Sequence, residues 1–459
     1  MDNKILIAIV VVVIAVIGIG AFVLLGNGGS TEKDTYDINT DCRIFGNANN
    51  DNYLDEKDAK LIQDMIDNKI TWDLKKHPLA DANCDGTVDK KDVDLVNDFI
   101  AGKSATMYYV DWDNKKASVN YPLGDVLEGG KYSIHSMFST GLDMEIILGI
   151  YDYNKYMSNG DISAADLDQE MYPGSADMET FDIKLTADHY ETFVKKGIKI
   201  TFGDKRWYDD GFLTAAEKNF GQYNLNVIKL PQNRVVNDIT WHQTMIALGV
   251  MFNAQDSTAD YIAYYEKVQK AVSDAVKKSG ATTKTFAMPY TAPGDDYTSI
   301  SPMWLDGRGS SNTVMADVKT IEMLPLESAF SVKAFDGFDA VETETIVSYN
   351  PDVVIVSAFG YASAGDKTVE DQEKRFNEFA EVFKKANYKG KLYGISFENC
   401  VMAGPAFILT LANMIWGDDA FDEETAWEYM YEYYDNFTNW EGTLEDLKES
   451  KFAVWEYTA

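Results

Sequence analysis

The chain has 459 residues, and its 74 acidic and 41 basic side chains give a formal net charge of -33. Nucleic acids and anionic lipids are bound through basic surfaces, so this charge argues against both as partners. Three cysteines are too few for a disulfide scaffold. Cys42 and Cys84 could pair with each other, whereas Cys400, in an apolar context, is expected to be an inert core thiol.

An apolar run from Ile5 to Leu25 lies near the N-terminus. About twenty residues at a rise of ~1.5 Å suffice to cross a bilayer. Lys4 is the only basic residue before the run, which favours a cytoplasmic N-terminus. No cysteine follows at a lipoprotein cleavage position. We therefore expect residues 1–30 to form an uncleaved transmembrane anchor with the rest of the chain outside the cell; a cleaved signal peptide is the alternative.

Two acidic loops of twelve residues, 47–58 and 81–92, place oxygen-bearing side chains at the intervals that a calcium ion requires. The expected ligands are Asn47, Asn49, Asp51, the Tyr53 carbonyl, Asp55 and Asp58 in the first loop, and Asp81, Asn83, Asp85, the Thr87 carbonyl, Asp89 and Asp92 in the second. Gly86 permits the sharp turn of the second loop. Asn52 stands at that position in the first loop, and asparagine is the next-best residue for a left-handed turn. The sequence thus predicts two Ca²⁺ sites.

Each loop runs directly into an amphipathic helical pattern, KDAKLIQDMIDN or KDVDLVNDFIAG, and no helix is predicted before either loop. Two such half EF-hands within residues 41–103 resemble a type I dockerin, a small all-α calcium-folded module that docks onto cohesin domains. In dockerins, positions 10 and 11 help to choose the cohesin. Here those positions hold Glu56, Lys57, Lys90 and Lys91 instead of a Ser/Thr pair, so the sequence leaves open whether the chain has a cohesin-bearing partner. Millimolar calcium outside cells agrees with export.

After Gly102 the chain alternates short β-rich runs with helical patterns, which predicts parallel sheets covered by helices on both faces. The body should open with a hairpin in MYYVDWDNKKASVNYPL. Further strands are expected in KGIKITFGD, NLNVIKLP, KTFAMPY, PDVVIVSAFG and GKLYGISFE, and helices in DMEIILGIYDYNKYM, NDITWHQTMIALGVMF and EDQEKRFNEFAEVFKKA. One long helix is expected from Ser257, as the N-cap, to Lys278. These elements divide the body into an N-terminal lobe (105–238), a spanning segment (239–280) and a C-terminal lobe (281–459).

Three segments carry a further resemblance: IHSMFSTGLDMEIILGIYDYNKYM, LGVMFNAQDSTADYIAYYEKV and DAVETETIVSYNPDVVIVSAFG. Their order, around one long helix between two α/β lobes, resembles the class III periplasmic-type binding proteins. Members of that family deliver iron chelates, haem or cobalamin to ABC importers. The resemblance implies that one Glu on each lobe meets arginines of the membrane permease. Glu344 fits this role in the C-terminal lobe, and Glu217, or alternatively Glu145, fits it in the N-terminal lobe.

In open α/β sheets the ligand binds at the carboxyl ends of the strands. The residues expected there are Met137, Phe138, Ser139, Arg206, Trp207, Tyr208, Trp304, Arg308, Phe359 and Tyr361. Aromatic planes suit a corrin, porphyrin or catecholate ring, and an arginine can bind a propionate, a phosphate or a chelate oxygen.

No catalytic pattern supports an enzyme. The four histidines (His77, His135, His189 and His242) are scattered, and the sequence has no H-E-x-x-H, G-x-S-x-G or P-loop motif. So few histidines also argue against a receptor for bare zinc. We expect a membrane-tethered receptor that closes on a metal chelate, with residues 41–103 as a spacer or a socket whose removal leaves solute affinity unchanged. A dockerin-bearing scaffold or adhesion protein, or a carbohydrate-active enzyme, is the alternative.

Overall fold

The structure is a computed structural model. It describes residues 36, 38, 40–127, 133–137, 139–158, 171–232, 234–236, 239–289, 299–300, 313–315, 323–329, 341–359, 369–396, 404–417, 420–450 and 454–457. Within these residues no helix is both long and apolar enough to span a bilayer. The expected anchor, residues 1–30, lies outside the described residues. Residues Asp37–Ala459 cluster as one unit, separate from Met1–Tyr36.

Each acidic loop leads into a helix, as predicted. Helix α1 spans Glu56–Ile66 and helix α2 spans Lys90–Ile100. Asp55 and Asp89 are their N-caps, and each takes part in a capping box that satisfies free N–H groups of the first turn. The two helices pack against each other through buried apolar residues, among them Ile62 of α1 and Phe99 of α2. This segment therefore consists of two loop-helix units in tandem.

A hairpin connects this segment to the N-terminal lobe. Its strands are β1 (Ala105–Val110) and β2 (Lys116–Tyr121), which pair antiparallel. Asn114, at φ 57°, forms the turn, in line with the tolerance of asparagine for the left-handed region. The hairpin was predicted at this position.

The N-terminal lobe is built on a parallel five-stranded sheet in the order β5-β4-β3-β6-β7. Its strands are β3 (Ile134–Ser136), β4 (Asn154–Ser158), β5 (Glu179–Phe181), β6 (Ile200–Phe202) and β7 (Asn226–Ile228), and β8 (Arg234–Val236) follows the sheet. Its helices are α3 (Ser139–Ile147), α4 (Ala187–Lys196), α5 (Asp210–Lys218) and the short α6 (Phe220–Tyr223). The parallel sheet confirms the predicted α/β class.

Two helices follow the N-terminal lobe. Helix α7 spans Trp241–Met251, and helix α8 spans Gln255–Ser279, a length of 25 residues. The long helix is thus confirmed, but Ser257 is not its N-cap, because the helix already begins at Gln255 after Ala254. Asn253, at φ 54°, forms a tight turn after α7. Helix α8 can therefore begin at an earlier residue than the sequence predicted.

The C-terminal lobe contains a second five-stranded sheet, in the order β12-β9-β14-β15-β16. Its pairs are parallel except for β15 with β16, which is antiparallel. The strands after α8 are β9 (Lys284–Ala287), β10 (Ser299–Ile300), β11 (Thr313–Met315), β12 (Leu326–Ser328), β13 (Val341–Glu342), β14 (Val353–Phe359), β15 (Lys391–Ser396) and β16 (Val454–Glu456). The helices are α9 (Thr343–Ser348), α10 (Val369–Lys385), α11 (Pro405–Trp416), α12 (Glu423–Phe437) and α13 (Leu444–Ser450).

Strands β8 and β11 pair antiparallel, which links the end of the N-terminal lobe to the region after α8. The residues just before β8 therefore lie where the chain passes between the two lobes. This pairing was not foreseen, because neither three-residue strand has a periodic pattern long enough to identify it.

One predicted helix is wrong in part. The segment 143–157 was expected to be a single helix, but α3 ends at Ile147 and Asn154–Ser158 is strand β4. Gly149, at φ 70°, takes the left-handed conformation with which helices often end. The alternating Tyr-Asn-Lys-Tyr-Met that follows pairs with β3 as a strand.

The segment 41–103 shares a hydrophobic core with the rest of the body. Ile44 forms an antiparallel bridge with Tyr109 of β1. Hydrogen bonds flank this bridge on both sides, from Phe45 N to the Tyr108 carbonyl at 3.0 Å and from Val110 N to the Arg43 carbonyl at 3.0 Å. The side chains buried around it form one continuous cluster with those of the N-terminal lobe and of α7 and α8. The segment is therefore packed onto the body.

Candidate functional site

The first acidic loop is folded around two buried polar side chains. Asp58, at position 12, is fully buried, and its Oδ1 accepts from Ala48 N at 2.9 Å and from Asn49 N at 3.1 Å. Its Oδ2 accepts from Asp55 N at 2.9 Å. Burial raises the pKa of the Asp58 carboxyl to about 6. A carboxylate enclosed in this way is stabilised by a cation.

Asn47, at position 1, gives the sharpest test of whether this loop fits an ion. Its side chain is fully buried, and its Nδ2 donates to the Cys42 carbonyl at 3.0 Å and to the Asp51 carbonyl at 2.8 Å. Its Oδ1 has no hydrogen-bond partner among the described residues. A buried oxygen without a partner costs free energy unless a ligand satisfies it. An ion at the predicted place would supply such a partner.

The second loop shows the same series of turns. Asp81 accepts from Asp85 N at 3.1 Å and from Gly86 N at 2.8 Å, and Asn83 Oδ1 accepts from Asp85 N at 2.8 Å. Asp92 is fully buried and accepts from Asn83 N at 3.1 Å and from Asp89 N at 2.8 Å. In both loops, hydrogen bonds thus hold the side chains at positions 1 and 12 toward the centre of the loop.

One expectation about these loops is corrected. Gly86 has a φ of 90°, as expected, but Asn52 does not occupy the left-handed region; in both loops position 4 does, with Asn50 at 63° and Cys84 at 57°. Cys42 and Cys84, whose pairing the sequence left open, are both free thiols. In the part of the chain that the structure describes, no three His, Cys, Asp or Glu side chains converge as metal ligands. An ion in either loop would depend on amide and carbonyl oxygens as well.

A buried polar cluster lies beside the carboxyl end of β3. Glu145 of α3 is fully buried, receives a hydrogen bond from the Ser136 hydroxyl, and accepts from Asn154 Nδ2 at 2.9 Å on each oxygen. Burial raises its pKa to about 8. The side chain is therefore neutral near pH 7, and it cannot contact a permease, which excludes it as the alternative docking residue.

Next to this cluster lie two polar groups that the sequence analysis missed. Gln232, which is 1% exposed, has no hydrogen-bond partner among the described residues for either polar atom of its amide. Thr140, in the first turn of α3 and also 1% exposed, has a hydroxyl without a partner. A β-carbon at Gly141 would stand 2.8 Å from Ser136 Oγ and 3.6 Å from Gln232 Oε1, so the glycine lets the helix approach both side chains. No motif marked Gln232, because its position depends on the crossing into β8.

The predicted cleft residues of the N-terminal lobe fall into two groups. Met137 is fully buried and Tyr208 nearly so, and both belong to a hydrophobic cluster with Trp112 and Phe212. Their burial places them in the core. Trp207 is only partly buried, although its indole nitrogen is buried.

Arg206 is already engaged. Its Nε and Nη2 donate to the two oxygens of the buried Asp204 at 3.0 and 3.2 Å. Its guanidinium also lies over the Trp207 ring, 5.3 Å from the centroid. These two bonds use two of the five N–H donors of the guanidinium, so a ligand oxygen would be bound through the other donors.

The remaining predicted cleft residues lie mostly outside the described residues: Phe138, Trp304, Arg308 and Tyr361, together with the side chains of Ser139 and Phe359. The two predicted permease-docking residues are both exposed. Glu217 of α5 forms an ion pair with Lys229, and Glu344 lies in the first turn of α9.

The chain therefore consists of two α/β lobes with mostly parallel sheets, joined by one long helix. The chain shares this fold with FepB from Veillonella parvula, a TroA-like periplasmic binding protein: the two are 11% identical, the match covers 76% of this chain and 99% of FepB, and the TM-score is 0.53. At this identity the likeness shows the fold alone. The solved structures also include an ABC transporter solute binding protein from Sulfurospirillum deleyianum (12% identity, 75% of this chain and 98% of that one, TM-score 0.48).

A third solved structure is the molybdate-bound MolA from Haemophilus influenzae (12% identity, 72% of this chain and 97% of that one, TM-score 0.47). No protein-family model matches the sequence, and no curated protein matches it.

Proposed function

We propose that this chain is the extracellular solute-binding receptor of an ABC importer, which holds a metal chelate between its two lobes and delivers it without making or breaking a covalent bond. The observation that supports this most directly is the unpartnered amide of Gln232 beside the unpartnered hydroxyl of Thr140. Both belong to the edge of the sheet where ligands of open α/β folds bind. Buried polar groups without partners are rare in folded proteins unless a ligand or water completes them.

The chemistry of this edge favours an oxygen-rich solute. The Gln232 amide, the Thr140 hydroxyl and the first N–H groups of α3 all offer hydrogen-bond donors, and helix N-termini attract negative charge. Chelates such as siderophores and haem carry carboxylate, catecholate or similar oxygens. The single spanning helix α8 would restrict closure to a small rotation of the lobes.

The other parts of the chain complete the proposal. Two calcium ions would be held by the loops, with Asn47, Asn49, Asp51, the Tyr53 carbonyl and Asp58 around the first, and Asp81, Asn83, Asp85, the Thr87 carbonyl and Asp92 around the second. Asp55 and Asp89 would support them as N-caps. Residues 1–30 would anchor the chain in the membrane with the body outside. Glu217 and Glu344 would meet the permease, and the exposed residues at positions 10 and 11 of the loops would face any cohesin-bearing protein.

The test is a titration of the chain without residues 1–30 with haemin, cyanocobalamin and a ferric siderophore, followed by tryptophan fluorescence. We expect one of the three to bind and quench the emission. Gln232→Leu should weaken that binding about tenfold or more, because it removes a hydrogen-bonding group worth about 1.5 kcal/mol or more at a buried site. The matched control is Gln222→Leu, an exposed glutamine of α6, which should bind like the wild type. Unchanged spectra with all three solutes would instead favour a surface scaffold without solute binding.

A further inference from the structure

The first acidic loop is held by the start of the lobe-spanning helix through a two-point contact. Leu54, at position 8 of the loop, donates its backbone N–H to Gln255 Oε1 at 2.9 Å, and its carbonyl accepts from Gln255 Nε2 at 3.2 Å. Gln255 is the first residue of α8. One side-chain amide thus satisfies both backbone groups of Leu54, as a neighbouring strand would.

Two further hydrogen bonds connect the same region to α7 and α8. Asn52, within the loop, donates to Glu266 of α8 at 3.3 Å. Gln243 of α7 donates to Asp41, just before the loop, at 2.8 Å. Within the described chain, the hydrogen bonds of the second loop include no counterpart of the Leu54–Gln255 contact; they stay within the loop and its own helix. The coupling to the spanning helix therefore belongs to the first loop.

Leu54 is 3% exposed, so its backbone groups have little access to water. Separating the loop from Gln255 would leave the N–H and the carbonyl of Leu54 without these hydrogen bonds, which costs free energy at a buried position. The backbone of the loop and the first turn of α8 are therefore fixed together.

We propose that the first loop is a calcium-controlled clamp on the lobe-spanning helix. The clamp depends on the calcium site of the proposed function and extends it. Ion binding at Asn47 and Asp58 fixes the conformation of residues 47–58, and the hydrogen bonds between Leu54 and Gln255 couple that conformation to the start of α8. Calcium then stabilises the whole body, since a ligand that binds the folded state raises the free energy of unfolding of every part that unfolds with its site. The coupling is reciprocal, so an intact clamp also raises the affinity of the loop for calcium.

The experiment compares the full-length chain in detergent with 1 mM CaCl₂ and with EDTA. Thermal unfolding is followed by circular dichroism, and calcium binding by isothermal titration calorimetry. For the wild type we expect one cooperative transition that calcium shifts upward by several degrees. Gln255→Leu should lose at least half of that shift and bind calcium several-fold more weakly, and Gln255→Glu, which can still accept from Leu54 N, should fall between.

Gln269→Leu is the matched control, because Gln269 is an exposed glutamine of the same helix and should keep the full shift. Asp58→Ala should remove the part of the calcium shift that comes from the first loop, so that adding Gln255→Leu changes the remaining shift no further, whereas Asp81→Ala, in the second loop, should leave the contribution of Gln255 in place. A wild type that binds calcium but unfolds in two steps, only one of which calcium moves, would overturn the clamp and leave the calcium sites standing. A full calcium shift in Gln255→Leu would do the same. A wild type that binds no calcium would overturn the sites and the clamp together.

Discussion

Two acidic residues of α3 are buried without a positive partner among the contacts described for them. Glu145 is held by Ser136 and Asn154, and Asp143 accepts from the Tyr172 hydroxyl at 2.9 Å. Burial disfavours the charged form, which raises the pKa of Glu145 to about 8 and that of Asp143 to about 7. Both side chains are therefore protonated over part of the neutral range.

This burial predicts a pH dependence of stability. The unfolded chain releases the Glu145 proton above its ordinary pKa of 4.5, whereas the folded chain keeps it up to about pH 8. The folded state then binds more protons within this window, so the free energy of unfolding falls as the pH rises, by at most about 1.4 kcal/mol per pH unit for one group. Glu145→Gln stays neutral and should reduce the slope between pH 5 and 8 in urea unfolding by the share of one group, leaving the share of Asp143. Glu217→Gln, at an exposed ion pair, is the control, and a slope in Glu145→Gln equal to that of the wild type would contradict the assignment.

Residue by residue, the sequence was informative where a pattern lies within one short segment. The loop spacing predicted the buried ends of both loops, Asn47 and Asp58 in the first and Asp92 in the second, because those residues are neighbours along the chain. The sequence could not show that the Arg206 guanidinium is hydrogen-bonded to Asp204, because this contact depends on the conformation of the turn after β6. Gln232 escaped notice for the same reason.

Between elements, helices α7 and α8 approach each other closely at Gly249. A β-carbon at Gly249 would stand 2.2 Å from the Thr258 hydroxyl oxygen and 3.2 Å from its β-carbon. Such distances require one helix to move, and overpacking of this kind typically costs about 1–3 kcal/mol. Glycine at this position is what lets two consecutive helices pack so closely.

We therefore expect Gly249→Ala to lower the free energy of unfolding by about 1–3 kcal/mol, measured by urea denaturation. Thr258→Ala should restore part of this loss in the double variant, because it removes the atoms that the new methyl group meets. Gly221→Ala is the control: its β-carbon would meet nothing within 4 Å, so stability should stay the same or rise slightly. Equal effects of the two glycine substitutions would show that the helices are free to separate.

At the scale of the whole molecule, hydrophobic periodicity correctly predicted two α/β lobes with parallel sheets and one long helix between them, since strands that alternate with helices have few other arrangements. The order of the lobes could thus be predicted from local patterns. The position of residues 41–103 against the body could not be predicted in this way. Their core residues, such as Ile62 and Phe99, have the spacing of an independent helix pair, and a pattern within one helix does not reveal which distant surface it covers.

This shared core predicts that residues 41–103 cannot be removed without cost. The ring of Phe99 packs edge-on against Tyr121 at 5.0 Å between centroids, and Ile44 pairs with Tyr109, so deletion would uncover large buried side chains of the hairpin. A chain that begins at Ser104 should unfold at a temperature several degrees lower than one that begins at Asp37, and should bind a hydrophobic dye at room temperature.

Two point variants separate lost packing from mere shortening of the chain. Phe99→Ala in the longer chain should cost about 3–5 kcal/mol, the usual range for a buried phenylalanine. Leu74→Ala, in the same segment but 61% exposed, should leave the transition where it is. If the chain from Ser104 melts at the same temperature as the chain from Asp37, the segment is an independent spacer, as the sequence alone suggested. If it melts lower, while Phe99→Ala lowers a single transition that includes both lobes, residues 41–103 are a structural part of the body, and a change in their stability is felt by the lobes.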